Sequence, residues 1–313
     1  MLSRVADNLY WMSRYLERAE HTARVMDVHL NLMLEQDGEE QGGRWSRVLA
    51  CLGNHETLPG ADVFAAAQNF ALKQILDSIA SARDNARQVR EQVSSEMWEE
   101  LNRLFHESKR MIGPEFWTSQ AHDSLHAITD GSYMFQGITD STMIHGEGWQ
   151  FIQVGRFMER AQATARLIDS HFAAFFQKGR ETHTAAEHME WIGLLRSCAA
   201  FEAYCKVYTA DLRPERVAEF LLMNSDFPHS TRFAAEGIRR SLGCIHDVAA
   251  NRKAERLTKL AGRLASALSY TPVDEVMADV HGFTVTIRKL CAQIHTGMFQ
   301  VYITYHIDAA LGA

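Results

Sequence analysis

Residues 14–29, RYLERAEHTARVMDVH, recur as RFMERAQATARLIDSH at 156–171, at a constant offset of 142. Nine of the sixteen positions are identical, where ordinary residue frequencies give roughly one coincidence. The apolar residues around each copy step by three and four. Leu9, Met12, Leu16, Ala19, Ala23, Met26, Leu30 and Met33 do so in the first, and Phe151, Val154, Met158, Ala161, Ala165, Ile168, Phe172 and Phe175 in the second. A seam of that period sustained over nearly four heptads predicts two long packing helices, with alanines that permit close approach of a partner.

The rest of the chain also reads as helix. A polar loop at 36–43 precedes a short helix near 45–52, an LPG turn at 58–60 and a small element near 61–68. The run 72–92 is amphipathic, Ser94 or Ser95 caps the next helix, and Gly113-Pro114 opens another to about 135. Residues 137–149 then separate the halves. Thr184 and Glu187 form a capping box, Pro214 and Pro228 each suit a first helical position, and Thr271-Pro272 starts the last long helix. Period-two alternation between hairpin turns is missing throughout. The expectation is an all-α fold, one large helical domain (1–313) built from two degenerate bundle repeats at about 1–137 and 138–313. Residues 64–75 and 220–231 are expected in similar places in the two repeats.

With 46% apolar and 23% charged residues and a net charge of −7, the chain has a globular composition and lacks a basic nucleic-acid footprint. No run of about 18 apolar residues suggests a membrane span, and the opening MLSRVADNLYW has no apolar signal core, so a cytoplasmic location is expected. The five cysteines lack CxxC spacing and fit a reducing compartment; Cys198 and Cys205, seven apart, read as core thiols stacked on one helix.

On the heptad of the apolar seam, Arg14, Glu17 and Arg18 take positions opposite it, as do Arg156, Glu159 and Arg160. Three readings follow. The groups can form a solvated face with weak intrahelical pairs. They can pair between the helices, Glu17 with Arg160 and Glu159 with Arg18, as a desolvated packing lock. Or they can line a shared cleft in which guanidinium forks take a carboxylate or phosphate. The positions that differ lie between them: Tyr15/Phe157, Leu16/Met158, Glu20/Gln162 and His21/Ala163. Arg24, Asp27, His29 and their counterparts Arg166, Asp169 and His171 form a second tier. Residues two apart on a helix diverge by about 200°, so Asp27-x-His29 and Asp169-x-His171 suit interfacial hydrogen bonds better than a metal. His183 and His188 are poorly spaced for joint ligation, and the two Glu-x-x-His steps of a di-iron bundle are missing. No metal or cofactor is expected. No nucleophile or phosphate-loop motif stands out, and Trp11, Trp98, Trp149 and Trp191 read as packing residues. Glu147-Gly148-Trp149 reads equally as a cleft edge or a helix entry.

LYWMSRYLERAEHTAR, SSEMWEELNRL, TMIHGEGWQFIQVGRFMERAQATARL, LLRSCAAFEAYCKVY and PERVAEFLLMNSDFPHSTRF, in that order from Leu9 to Phe233, resemble the Alpha-E family of bacterial helical proteins. Its Glu-Arg motif is matched at Glu17-Arg18 and Glu159-Arg160. The resemblance implies a setting beside a circularly permuted ATP-grasp amidoligase, a transglutaminase-like peptidase and a proteasome-related peptidase. It implies an accessory subunit binding an anionic peptide group or the partner enzyme through Arg14, Arg18, Arg156 and Arg160, with Glu17 and Glu159 orienting them. Two alternatives stand beside it: an enzyme using Glu17 or Glu159 as general acid/base on a peptide or amide, and a purely structural scaffold. A carboxylate among arginines has a depressed pKa, which favours binding over catalysis. The chain departs from the family pattern at Gln68, Ala71, Leu72 and Gln74, where an Asp and an Asn-Pro-x-Ser-like start are usual, and at His21, where Asn is common. The second half retains Asp226, Pro228 and Ser230.

Overall fold

A computed structural model describes residues 3–35, 41–54, 62–176, 184–209, 211–249 and 252–303. Among them are thirteen α-helices, one π-helical turn and no strand. The two long helices are α1 (Ser3–Glu35) and α6 (Glu147–Phe175). Between them come α2 (Gln41–Cys51), α3 (Val63–Gln88), α4 (Ser95–Met111) and α5 (Pro114–Thr142). After α6 follow α7 (Ala185–Ser197), α8 (Phe201–Tyr208), α9 (Pro214–Met223), α10 (Thr231–Ala249), α11 (Arg252–Tyr270), α12 (Val273–Ala278) and α13 (Val280–Met298), with the π turn at Phe299–Ile303.

The packing is organised around the two long helices. α1 packs on α3 and α5, with α4 joining those two; α6 packs on α10 and α13, with α11 joining those two. α1 and α6 also lie directly against each other. Their apolar seams enter one continuous cluster of buried residues. Their approach is close because position 155 is glycine: a Cβ there would overlap the Tyr10 carbonyl and the Ser13 hydroxyl of α1. The shorter helices cross over. α2 lies against α3 and α6, and α7 lies against α1, so each long helix is sealed partly by a short helix of the other half.

Several boundaries follow local chemistry. Ser94 Oγ accepts from Met97 N at 3.1 Å, and Thr184 and Glu187 make the reciprocal capping box before α7. Pro214 stands in the first turn of α9. Other expectations are corrected. Pro228 precedes α10 in a turn, and Ser230 caps that helix by accepting from Phe233 N at 3.0 Å. Pro272 opens only the six-residue α12; the last long helix starts at Val280, where Asp279 accepts from Gly282 N at 2.8 Å. α5 runs to Thr142, with a kink at Gln120, so residues 137–142 are helix rather than a divider. Glu147-Gly148-Trp149 is the entry of α6. Cys198 and Cys205 are not on one helix, because Ala199, at φ 50°, breaks the chain between α7 and α8; Cys198 is buried and Cys205 only partly so. Residues 64–75 lie within α3, whereas 220–231 span the end of α9, a turn and the first residue of α10. The LPG turn, residues 36–40 of the polar loop and His183 lie outside the described residues.

Candidate functional site

The charged faces of α1 and α6 are turned toward each other, not toward water. Glu17 and Glu159 are each 2% exposed, Arg160 6% and Arg14 7%. Arg160 embraces Glu17 with Nε to Oε1 at 2.5 Å and Nη2 to Oε2 at 2.8 Å, and Gln136 Nε2 reaches Oε2 at 3.4 Å. Glu159 takes two forks. Arg18 donates from Nε to Oε1 at 2.7 Å and from Nη2 to Oε2 at 3.1 Å; Arg14 donates from Nε at 2.8 Å and Nη2 at 2.6 Å, both to Oε2. Burial alone would raise the Glu159 carboxyl, but Arg14 and Arg18 outweigh it and bring it down to about 2. Arg14 also donates to the Tyr10 hydroxyl at 3.0 Å, which in turn shares a hydrogen bond with His295 Nδ1 of α13 at 2.8 Å; burial pushes that phenol up to about 12.

The other guanidinium groups are treated unequally. Arg156 does not reach either glutamate: it donates to Gln153 and to Gln136 at 3.5 Å, and stands 3.9 Å from Asp140. Arg24 pairs with Glu20 one turn back and donates to the Tyr133 hydroxyl at 2.5 Å. Its counterpart Arg166 has no carboxylate one turn back, because position 162 is Gln. Among the described residues Arg166 has no hydrogen-bond or ion-pair partner, and its Nε is sealed from solvent unpaired. Burial, then the neighbouring Arg18 and Arg14, lower its pKa against the pull of Glu159. Arg166 borders a cavity of about 210 Å³ together with Arg18, His21, Glu159, Thr22 and Gln74. His21 is half-buried with Nε2 sealed from solvent and unpaired, and its pKa is lowered to about 4 by loss of hydration and by Arg166. It therefore stands neutral, as a donor or acceptor in the cavity wall. The guanidinium groups of Arg14, Arg18, Arg156, Arg160 and Arg166 stand against the carboxylates of Glu17, Glu159 and the more exposed Asp140, so positive charge is in excess along the α1–α6 contact.

A family model described as a predicted alpha-helical domain with a conserved ER motif matches residues 1–303. The chain belongs to the Alpha-E family. It is also similar to the uncharacterized protein Mb2597 of Mycobacterium bovis and to the uncharacterized proteins MT2643 and Rv2567 of Mycobacterium tuberculosis. Each is 23% identical over 327 residues that cover 95% of this chain and 36% of the relative. The chain thus spans about a third of the length of the curated relatives it matches. No solved structure matches it significantly. In Alpha-E terms, the two Glu-Arg steps of this chain are Glu17-Arg18 and Glu159-Arg160, and each glutamate is clasped by the arginine of the other step.

The second tier of this Alpha-E core diverges as the helical geometry requires. Asp27 turns outward to α5, with His122 Nδ1 at 2.6 Å and His126 Nε2 at 3.5 Å. Asp169 turns likewise to α13, accepting from Arg288 at 2.7 Å and standing 2.8 Å from His281 Nδ1. His29 is a correction to the hydrogen-bonding expectation: its Nδ1 is buried without a partner, its ring lies beside Trp45, and burial, then Arg44 and Arg47, lower its pKa to about 3. His171 is similarly buried against Trp191 and held well below its ordinary pKa, first by burial. Among the described residues, no group of three His, Cys, Asp or Glu side chains is arranged to hold a metal ion. No described helix is long and apolar enough to cross a membrane, and all five cysteines are free thiols.

Sequence reasoning missed a further buried ion pair, outside the α1–α6 contact. Arg44 of α2 donates to Glu190 of α7 from Nη2 at 2.6 Å and Nε at 3.2 Å, with Arg47 at 3.4 Å from the other oxygen; Arg44 and Glu190 are 1% and 3% exposed. The signal was present in Arg44-Trp45 and Glu190-Trp191. These are two charged-Trp steps downstream of the matched histidines, with both indoles fully buried.

Proposed function

We propose that this Alpha-E chain is an accessory, ligand-binding subunit of a pathway built around an ATP-grasp amidoligase, and that its central arginines take an anionic group of a peptide or of the partner enzyme. The observation that carries the reading is the surplus of guanidinium groups at the α1–α6 contact. Glu17 and Glu159 are already satisfied by Arg160, Arg14 and Arg18, yet Arg166 faces a polar cavity with no carboxylate of its own. Arg166 is half-buried with its Nε sealed from solvent, so its charge is only partly hydrated, and an incoming anion would offset that loss. The alternative of a general base is disfavoured, since Glu159, held at about 2, has little proton affinity to use near neutral pH. The company of a circularly permuted ATP-grasp protein, a transglutaminase-like peptidase and a proteasome-related peptidase is what the family resemblance implies, and it forms part of the proposal.

The test is reconstitution with the ATP-grasp partner. Amide formation should depend on this chain and fall at least tenfold with Arg18→Met or Arg166→Met while the fold is retained. Peptide turnover by the purified chain alone would overturn the accessory reading.

A further inference from the structure

The two matched halves of the central cluster differ in one instructive way. Arg18 and Arg160 each use Nε and Nη2 to clasp a glutamate, which leaves Nη1 over. On Arg160 that remaining group donates to the main-chain carbonyl of Pro228 at 3.1 Å, and the matched Thr164 hydroxyl donates to the next carbonyl, His229, at 3.2 Å. The turn before α10 thus fills this side with two consecutive peptide oxygens. On Arg18, Nη1 has no partner among the described residues, and Thr22 donates instead to Gln74 at 2.8 Å and to the Arg18 carbonyl at 2.7 Å. There the place of the turn is taken by the 210 Å³ cavity. The positions at which the two stretches differ open and charge it. Gln162 in place of a glutamate leaves Arg166 unpaired, and Ala163 in place of a histidine contributes only a methyl to the wall.

From this geometry we infer that the cavity binds the C-terminal carboxylate of a peptide, one per chain, between Arg18 Nη1 and Arg166. The occupant of the matched side is peptide main chain, and a terminal carboxylate presents two oxygens where Pro228 and His229 present one each. A single negative charge suits the site better than a phosphate dianion, because the Glu159 carboxylate is part of the same wall. This inference rests on the anion-binding reading above and names its ligand.

Calorimetric titration of the full chain decides it, using an acetylated tripeptide acid, the same peptide as its carboxamide, and inorganic phosphate. The acid is expected to bind with a stoichiometry of one, at least tenfold more tightly than either of the others. Arg166→Met should weaken it more than tenfold without lowering the melting temperature, since no partner is lost. Ala163→Val, which narrows the cavity from α6, should also weaken binding more than tenfold. Arg103→Met, a surface change on α4, should leave binding within twofold. Equal affinity for acid and carboxamide, tighter binding of phosphate, two sites per chain, or unaltered binding by both cavity variants would overturn the assignment. Lost peptide binding by Arg166→Met with undiminished amide formation in the reconstituted pathway would remove this ligand but leave the accessory role. Intact peptide binding by a chain that has no effect on amide formation would remove the accessory role alone.

Discussion

Removing Arg160 tests how the Alpha-E core is held. In Arg160→Met, Glu17 keeps its burial at 2% exposure but loses donors at 2.5 and 2.8 Å, leaving only Gln136 at 3.4 Å. Breaking one side of a buried ion pair costs about 3–5 kcal/mol. The unfolding entropy of globular proteins, about 2.1 cal/mol/K per residue, gives this 313-residue chain about 0.7 kcal/mol per kelvin, so the expected fall in Tm is about 4–7 °C. Glu17→Gln strands the opposite charge and should cost about 2–4 kcal/mol. The double variant Glu17→Gln/Arg160→Met buries neither unpaired charge, so its loss should fall at least about 2 kcal/mol short of the sum. Urea unfolding followed by circular dichroism at pH 7, with unchanged m-values, measures all four corners of the cycle. Additivity within about 0.5 kcal/mol would refute the claim that this pair is coupled in the interior.

Further expectations follow from the same contacts. Gly155→Ala forces a methyl into the Tyr10 carbonyl and Ser13 hydroxyl, and should cost about 2–3 kcal/mol in urea unfolding despite alanine's better helix propensity. Glu159 falls from an ordinary 4.5 to about 2 on folding, so its stabilisation is complete above pH 4.5 and is lost as pH falls from there toward 2; Glu159→Gln should flatten that limb of the stability–pH curve. His21 falls from 6.5 to about 4, so the stability tied to its neutral ring is complete above pH 6.5 and is lost on acidification toward 4. His21→Ala should reduce the slope in that window. Ser94→Ala removes the α4 cap and should cost about 1 kcal/mol, read by the same unfolding assay.

What the sequence disclosed and what it withheld have a common physical cause. Helix existence was legible because Leu9 to Met33 and Phe151 to Phe175 carry an uninterrupted three-four spacing, and α1 and α6 lie where that spacing runs. Heptad arithmetic then places Arg14, Glu17 and Arg18 opposite the apolar seam, which for an isolated amphipathic helix means water. Here a second long helix covers that face, and Gly155 brings it close enough for guanidinium forks to reach across. One stretch alone contains no sign of this; two stretches do, since Glu17 needs Arg160 and Glu159 needs Arg18. The Arg44–Glu190 pair was harder to read because its partners lie 146 positions apart on short helices without a repeated spacing.

The differences between the two stretches inform in the opposite way. A lock made of matched pairs needs Glu17, Arg18, Glu159 and Arg160 alike, and they are alike. It does not need Glu20 to become Gln162, which deprives Arg166 of the neutralising partner that Arg24 keeps. Gln74, on α3 in the stretch that departs from the family pattern, accepts from Thr22, whereas the matched Thr164 binds a main-chain carbonyl. Identity between the halves therefore marks what holds α1 and α6 together, and departure from identity marks a place where space and an unpaired guanidinium group coincide. On this argument, restoring symmetry should close the site. Gln162→Glu places a carboxylate one turn before Arg166, as Glu20 stands before Arg24, and should suppress binding of the peptide acid at least tenfold while leaving Tm unchanged or raised. Unaltered binding in that variant would show that the charge of Arg166 is not what the cavity uses.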